Sequence, residues 1–548
     1  MRSSLQRDRH ARLHSNRMEA GSVRQSKTGH NKGLEEAAPE NVKNYGGKVE
    51  SNPAAGTRSD SESAASITSV SRPDGAFPRR LPGVLWLGWR AMAAVLGGLI
   101  LRLWMMKAFP QVSGDALIYG GIARNIVLHG RFAISDGSGV VHNTLIRLPG
   151  YPFFLAACFR VLGIANYNAV AYLQIAGELA ACLLLADFVR RIASPRAGLN
   201  TLWFATMCPF TAVYSSAPLT ESPTFDMICL ALWSLERYLS SSRPDPVDTS
   251  HVKDRRWIWL ALFTVAISFA ALLRPDGALL AFALWPALLF SRRQKSLAPA
   301  LRRALLCGLV SVLPFAVWAG RNWHTFHVFE PLAPRYAGDP GEDPHLGWQH
   351  WVKTWCLDFT CTADIYWNVP DGPAVLEDLP SRAFDSEQQR QATAQLFVDY
   401  NHDQDLTPEI DRRFQDLANQ RIADHPLRSH LLLPLGRLLD MTLRPRVENL
   451  PIDERWWQYS QHRPETKFSI VYGVVNLCFL GLGIWGFRYR PRFWAYMAAY
   501  LVLRSLLLMT IEAPETRYTL EFFPVLFATG GIALQRIFTR IKPAKMPA

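Results

Sequence analysis

Apolar runs of membrane-crossing length alternate along this chain with short clusters of Lys and Arg, and nothing else limits its fold so strongly. A bilayer core takes about 20 apolar residues to cross as a helix. Backbone groups in lipid must be satisfied within the segment itself, so such runs are helical. Ten stretches have this character: about Leu81 to Met106, Ala169 to Val189, Leu199 to Tyr214, Pro223 to Leu239, Trp257 to Leu273, Ala278 to Phe290, Ala304 to Gly320, Phe468 to Phe487, Phe493 to Thr510 and Thr519 to Phe538. The stretch Phe153 to Gly163 is too short to cross and reads as an interfacial helix. Arg90 and Arg102 lie near the ends of the first run, where long side chains reach the interface.

Counting the runs alternately puts every dense basic cluster between them on one side: Arg190-Arg191, Lys253 to Arg256, Arg292 to Arg303, Arg488 to Arg492 and Arg540 to Lys545. Basic loops stay in the cytoplasm, so both termini are expected there, in an inner (plasma) membrane protein. The net charge of +13 is then a topology signal, and nucleic acid is not an expected partner. The fold class that follows is an all-α polytopic bundle of about ten transmembrane helices.

Four divisions result. Residues 1–80, rich in Ser, Arg, Gly, Asn and Glu, read as a disordered basic cytoplasmic tail without a signal-peptide core. Residues 81–321 form an N-terminal transmembrane module with an external loop at 107–168. Residues 322–466 hold 23 Asp and Glu against 13 Lys and Arg, which suits the outside. Residues 467–548 supply the last helices and a short cytoplasmic tail. Within the acidic segment, Leu431 to Leu443 is amphipathic and reads as lying on the membrane surface or covering the site, with a buried soluble helix as the alternative. Cys356 and Cys361 share this segment, where an oxidising compartment could join them.

Sorting charges by side collects Asp115, Arg147, Glu221, Arg274, Arg321 and Arg517 at the outer boundary. Guanidinium forks recognise phosphate oxygens, and a carboxylate can serve as a base toward a hydroxyl. Desolvation beside an apolar surface is expected to raise the proton affinity of Asp115. An in-line displacement at the anomeric carbon would invert it. Plainer roles compete: helix caps for Asp115 and Glu221, interfacial anchors for the arginines, a local pair of Arg517 with Glu515 or Glu521. Arg504, inside an apolar run, is expected to pair within the bundle, with Glu512 two turns on. His324 and His327 would share one face of a helix, as some metal ligands do, and His142 lies near the Arg147 turn. Asp403-Gln404-Asp405 reads as solvated surface. Trp348, Trp351, Trp355, Trp367, Trp456 and Trp457 read as structural or interfacial first and as sugar-stacking rings second.

The chain resembles the GT-C superfamily of glycosyltransferases, in the group of the dolichyl-phosphate-mannose protein mannosyltransferases and the lipid A aminoarabinose transferases. The resemblance is carried by Gly114-Asp115 with Tyr119 and Ala123-Arg124-Asn125, by Arg147-x-Pro149-Gly150-Tyr151-Pro152, by Pro218-Leu219-Thr220-Glu221, and by Arg274-Pro275, Arg321-Asn322 and Glu515-Thr516-Arg517-Tyr518. It implies a GT-C-like bundle with a periplasmic first loop, and a membrane enzyme taking a sugar from a polyprenyl-phosphate carrier. The acceptor would be a lipid, glycan or protein outside the cytoplasm. Asp115 would be the base, Glu221 the second acidic residue, and Tyr119, Arg147, Tyr151, Arg274, Arg321 and Arg517 would bind substrate. Many relatives have two adjacent acids in the first loop, whereas Ala116 follows Asp115 here. No cofactor is implied with certainty, and a divalent cation stays open. The rival class is a transporter or flippase for an anionic lipid-linked sugar, which would more often show repeated halves and broken mid-membrane helices. A membrane scaffold whose outer loop binds a partner is a third class.

Overall fold

A computed structural model describes residues 88–541, apart from 110–111, 113, 137, 242–255, 291–296 and 370–371. The tail expected at 1–80 lies outside the described residues.

Among the described residues six helices are long and apolar enough to cross a membrane: Trp89–Ala108, Tyr167–Ile192, Arg256–Leu273, Leu297–Phe326, Arg463–Tyr489 and Thr516–Thr539. They coincide with six of the ten expected runs. The other four are shorter, broken or more polar. Pro209 splits the third run into Pro195–Thr206 and Pro209–Ser215, because proline removes a helical N–H and crowds the preceding turn. The fourth, Glu221–Ser240, is a helix of 20 residues whose charged Glu221, Asp226, Glu236 and Arg237 lower its hydropathy. The sixth and ninth survive as the short apolar helices Pro275–Leu289 and Trp494–Leu508. The first loop also departs from an all-helical chain: Ala133–Ser135 pairs antiparallel with Val141–Asn143 in a small hairpin.

The helices relevant to the site are labelled α1 (Trp89–Ala108), α2 (Asp115–His129), α3 (Gly150–Leu162), α4 (Tyr167–Ile192), α5 (Glu221–Ser240), α6 (Arg256–Leu273) and α7 (Leu297–Phe326). Local chemistry sets their ends. The Asn166 side chain accepts from the Ala169 N–H at the start of α4, satisfying one donor that the first turn leaves without a partner. Gly130 closes α2 in the left-handed conformation. The helix α3 approaches α6 so closely that a Cβ on Gly150 would lie 2.6 Å from the Leu272 carbonyl oxygen. That contact fixes the turn carrying Arg147. Arg102 does not reach the interface. It is fully buried, ion-paired to Glu178 on α4 at 2.6 Å, and donates to the carbonyl oxygens of Gly98 and Thr206. Arg90, by contrast, is exposed.

The polar segment packs a core of its own from Trp348, Trp351, Trp355, Phe397, Tyr400 and Phe414. These tryptophans are structural, while Trp367 and Trp457 remain exposed. Asp411 accepts from the N–H groups of Gly347 and Trp348 at 2.8 and 2.9 Å, joining Pro408–Asp424 to the first turn of Leu346–Lys353. Cys356 and Cys361 form a disulfide. The amphipathic stretch becomes α8 (Leu433–Leu443). Its Arg437 is buried and donates to the carbonyl oxygens of Cys356, Lys353 and Ile511, while Leu431, Leu435, Leu439 and Leu443, at helical spacing, stay exposed. The helix thus docks by a face that carries Pro434, Arg437 and Met441, and leaves an apolar stripe outward. Asp403 and Asp405 are solvated. His324 lies in the last turn of α7 and His327 just beyond its end at φ 59°, both exposed, so they share no helical face.

Trp351 is 1 % exposed at the centre of the segment's core. Trp351→Ala is expected to destabilise that core by about 3–5 kcal/mol. Limited proteolysis will show faster cleavage between residues 346 and 424 than within the helices that follow.

Candidate active site

Two acids open helices. Asp115 is the first residue of α2 and Glu221 the first of α5, directly after the N-cap residues Gly114 and Thr220. Their negative charge is favoured at these positions by the helix dipole. Gly114, just before Asp115, has φ 52° with open space around it. Its backbone conformation, rather than crowding, is what suits glycine there. Both carboxylates are turned toward arginines.

Asp115 is gripped from both sides. Its Oδ1 accepts from Arg147 and its Oδ2 from Arg517, each at 2.8 Å. Arg517 stands 402 residues further along the chain. It also contacts Glu515 at 2.6 Å and approaches Glu221 at 3.7 Å. Glu221 accepts from Arg274 at 3.2 Å. Arg274 in turn meets Asp276 at 3.1 Å and Glu521 at 3.2 Å. Arg504 closes the far end on Asp276 at 2.9 Å and Glu521 at 2.6 Å, and donates to the Tyr518 carbonyl oxygen. The Arg504 partners are therefore not Glu512, which instead binds Arg335 and Lys353. Five carboxylates and four guanidiniums form one continuous network.

Aromatic rings support it. The Arg147 guanidinium lies 5.7 Å from the Tyr119 ring, and Tyr119 packs edge-on to Tyr151. The Tyr151 hydroxyl donates to Gln174, which is held by the Ala217 carbonyl oxygen. Tyr518 lies 5.3 Å from Arg274 and 5.5 Å from Arg517, and its hydroxyl donates to Glu515.

Burial alone would raise the Asp115 carboxyl, as expected beside an apolar surface. Arg517 and Arg147 outweigh that effect and hold it at about 2. The second oxygen of Glu221, Oε2, is buried without a hydrogen-bond partner among the described residues. Among those residues no group of three or more His, Cys, Asp or Glu side chains is arranged to hold a metal ion.

Of the residues singled out from the sequence, the structure brings together Asp115, Tyr119, Arg147, Tyr151, Glu221, Arg274 and Arg517. Arg321 stands apart from them. It donates to the carbonyl oxygens of Thr144 and Phe132 at 2.8 and 2.9 Å and lies over the rings of Phe132, Trp318 and Phe326. His142 pairs with Asp136 on the exposed hairpin. Sequence reasoning missed Asp276, Glu521 and Arg504 as parts of the network. A signal existed for each: an acid two residues after Arg274, and charges inside otherwise apolar runs.

Residues 147–318 match the family model described as dolichyl-phosphate-mannose-protein mannosyltransferase. The matched part includes Arg147, Tyr151, Glu221 and Arg274. No curated protein matches the chain. Similar solved structures include the oligosaccharyltransferase of Archaeoglobus fulgidus tethered with an acceptor peptide, 13% identical with a TM-score of 0.44, covering 83% of this chain and 51% of that one. The chain thus spans about half the length of the archaeal protein. ArnT from Cupriavidus metallidurans bound to undecaprenyl phosphate is 15% identical with a TM-score of 0.36, covering 84% of this chain and 82% of that one. The chain is thus similar to this mannosyltransferase family over residues 147–318, and, with six helices long and apolar enough to cross a membrane among its described residues, it is a multi-pass membrane protein.

Proposed function

We propose that the protein moves a sugar from a polyprenyl-phosphate carrier to a hydroxyl or amine of a lipid, glycan or protein at the outer face of the inner (plasma) membrane, with both termini in the cytoplasm and with inversion at the anomeric carbon. The observation that carries this reading is a carboxylate with a guanidinium on each oxygen, Arg147 and Arg517 on Asp115. The donor named in the family's description agrees with it. The sidedness is supported by the basic residues at other helix ends, where Arg190, Arg191 and Arg237 gather on Asp187.

In this reading the carrier phosphate competes with Asp115 for Arg147 and Arg517. As the two guanidiniums turn to the phosphate, the carboxylate loses the charges that keep its pKa low. It becomes a better proton acceptor when donor is present. The acceptor oxygen or nitrogen then attacks the anomeric carbon and gives its proton to Asp115. The bond from that carbon to the phosphate oxygen breaks, and its electron pair leaves with the polyprenyl phosphate, whose charge the arginines neutralise. Glu221 orients the acceptor through its unpartnered oxygen. Arg274, already tied to three carboxylates, holds Glu221 in place. Tyr119 and Tyr151 support Arg147 from beneath. Arg321 acts from further off by fastening the first loop.

Two kinds of outcome are expected, one in transfer and one in stability. With radiolabelled polyprenyl-phosphate sugars and membranes containing the protein, Asp115→Asn lowers transfer by about 100-fold or more. Unchanged transfer would remove Asp115 as the base. Replacing Arg147 or Arg517 by Lys raises the donor KM by about tenfold, because the ammonium lacks the planar fork. The second outcome concerns stability. The low pKa of Asp115 contributes stability that is complete above about pH 4 and is lost as pH falls toward about 2. The Tm gap between the native chain and Asp115→Asn is therefore flat at neutral pH and narrows over that acidic window. A gap that does not change with pH would show that the ion pairs are not formed in solution.

A further inference from the structure

A second polar cluster lies next to the ion network and is not used by the transfer chemistry above. At the end of α8, Arg444 stands between Asp440 and Glu448. Its Nη1 is 3.8 Å from Asp440 and its Nε 3.6 Å from Glu448. Both separations are too long for hydrogen bonds. Its remaining contacts, to the Thr360 hydroxyl at 3.4 Å and the Glu454 carbonyl oxygen at 3.3 Å, are also long. The side chains of Arg444 and Glu448 are each only 8 % exposed. Yet Arg444 Nε, Glu448 Oε1 and Asp440 Oδ2 have no hydrogen-bond partner among the described residues. Burying charges at such distances costs more than it returns unless a further group bridges them.

The surroundings say what that group is. The Trp457 ring lies 5.3 Å from the Arg444 guanidinium and is 45 % exposed, with Trp456 edge-on behind it. An indole face beside convergent donors and acceptors fits a ring that is apolar on one side and hydroxylated at its rim. Charge narrows the choice. Two carboxylates disfavour a phosphate, and the guanidinium disfavours an ammonium. Burial pushes the Asp440 carboxyl up to about 7, against Arg444. The position is also telling. Glu448 Oε2 accepts from the Thr516 hydroxyl at 2.7 Å, and Thr516 immediately precedes Arg517.

We infer that Asp440, Arg444, Glu448 and Trp457 form a subsite for a neutral sugar ring. Resting on the transfer reading above, this ring belongs to the acceptor, which is therefore a glycan or glycolipid rather than an unglycosylated protein.

The test uses the full chain in lipid nanodiscs and saturation-transfer NMR. The probes are methyl α-mannopyranoside, methyl β-glucopyranoside and methyl N-acetyl-β-glucosaminide. At least one is expected to receive saturation from the protein. Its binding should weaken about tenfold or more in both Glu448→Gln and Trp457→Ala, and persist in Asp115→Asn. Trp457 is exposed, so its variant folds even if Glu448→Gln does not. The subsite is overturned if no glycoside saturates, if binding survives in Trp457→Ala, or if it survives in a folded Glu448→Gln. It is also overturned if Asp115→Asn abolishes binding, since the sugar would then sit in the ion network. The transfer reading fails separately, when Asp115→Asn leaves radiolabel transfer intact, whatever the glycosides do.

Discussion

A charge at the edge of an apolar medium must find an opposite charge, and Asp115 finds two. In a low-dielectric setting a lone carboxylate costs several kcal/mol, so the helix that begins with it can hold its place only where Arg147 and Arg517 arrive. That requirement joins the first loop to the far end of the chain. It also orders the middle, because Arg517 reaches Glu515 and Glu221 as well, and Glu221 reaches Arg274. The network is therefore a set of distance constraints among segments far apart along the chain.

The same arrangement has a functional logic. Guanidiniums that are already charge-paired and held by Tyr119 and Tyr518 lose little side-chain entropy when they exchange a carboxylate for a phosphate. On the proposed reading, acid and phosphate compete for the same forks, which would link ligand charge to base strength. Glu221 differs in kind. One of its oxygens is taken by Arg274 and the other is buried and unpartnered. Such a group is costly unless a ligand group completes it, which suits a position where an acceptor hydroxyl arrives. Arg321 shows the limit of sorting residues by side alone. It sits at the expected helix end, but its donors are consumed by the Thr144 and Phe132 carbonyl oxygens.

Much of this was readable before any coordinates. Hydropathy and basic clusters located the six long helices, since one apolar residue after another leaves a helix as the sole structure lipid tolerates. The breaks were less visible. Pro209 lies within an apolar run whose overall hydropathy hides it, and the fourth run is a helix that buries Phe225, Ile228, Leu232 and Leu235 while Glu221, Asp226, Glu236 and Arg237 lower its mean hydropathy. Pairing was legible only in part. Asp115, Arg147, Glu221, Arg274 and Arg517 could be gathered by side, because alternation of spans dictates which ends coincide. Which acid meets which arginine could not, because that depends on helix rotation and tilt. Arg504 is the clear case: Glu512 lies near it in sequence, yet its partners come from residue 276 and from the last helix. Arg102 is another, reaching inward to Glu178 rather than outward, since α4 offers a buried carboxylate at the right depth.

The segment after the disulfide gives the last step. Arg437 anchors α8 to the polar segment, and Arg444 and Arg446 follow it within three turns' length of chain. Arg446 donates to the Thr516 carbonyl oxygen and the Thr519 hydroxyl, while Glu448 takes the Thr516 hydroxyl. Thr516 is thus held from both of its polar groups by residues 446 and 448. Its neighbours Glu515 and Arg517 belong to the ion network. Any group that draws Glu448 toward Arg444 pulls on the backbone that aims Arg517 at Asp115. The carboxylate under two guanidiniums and the cluster beneath the indole are therefore joined through residues 515–517. On the proposed reading, a sugar at the one and a phosphate at the other would be coupled through that peptide.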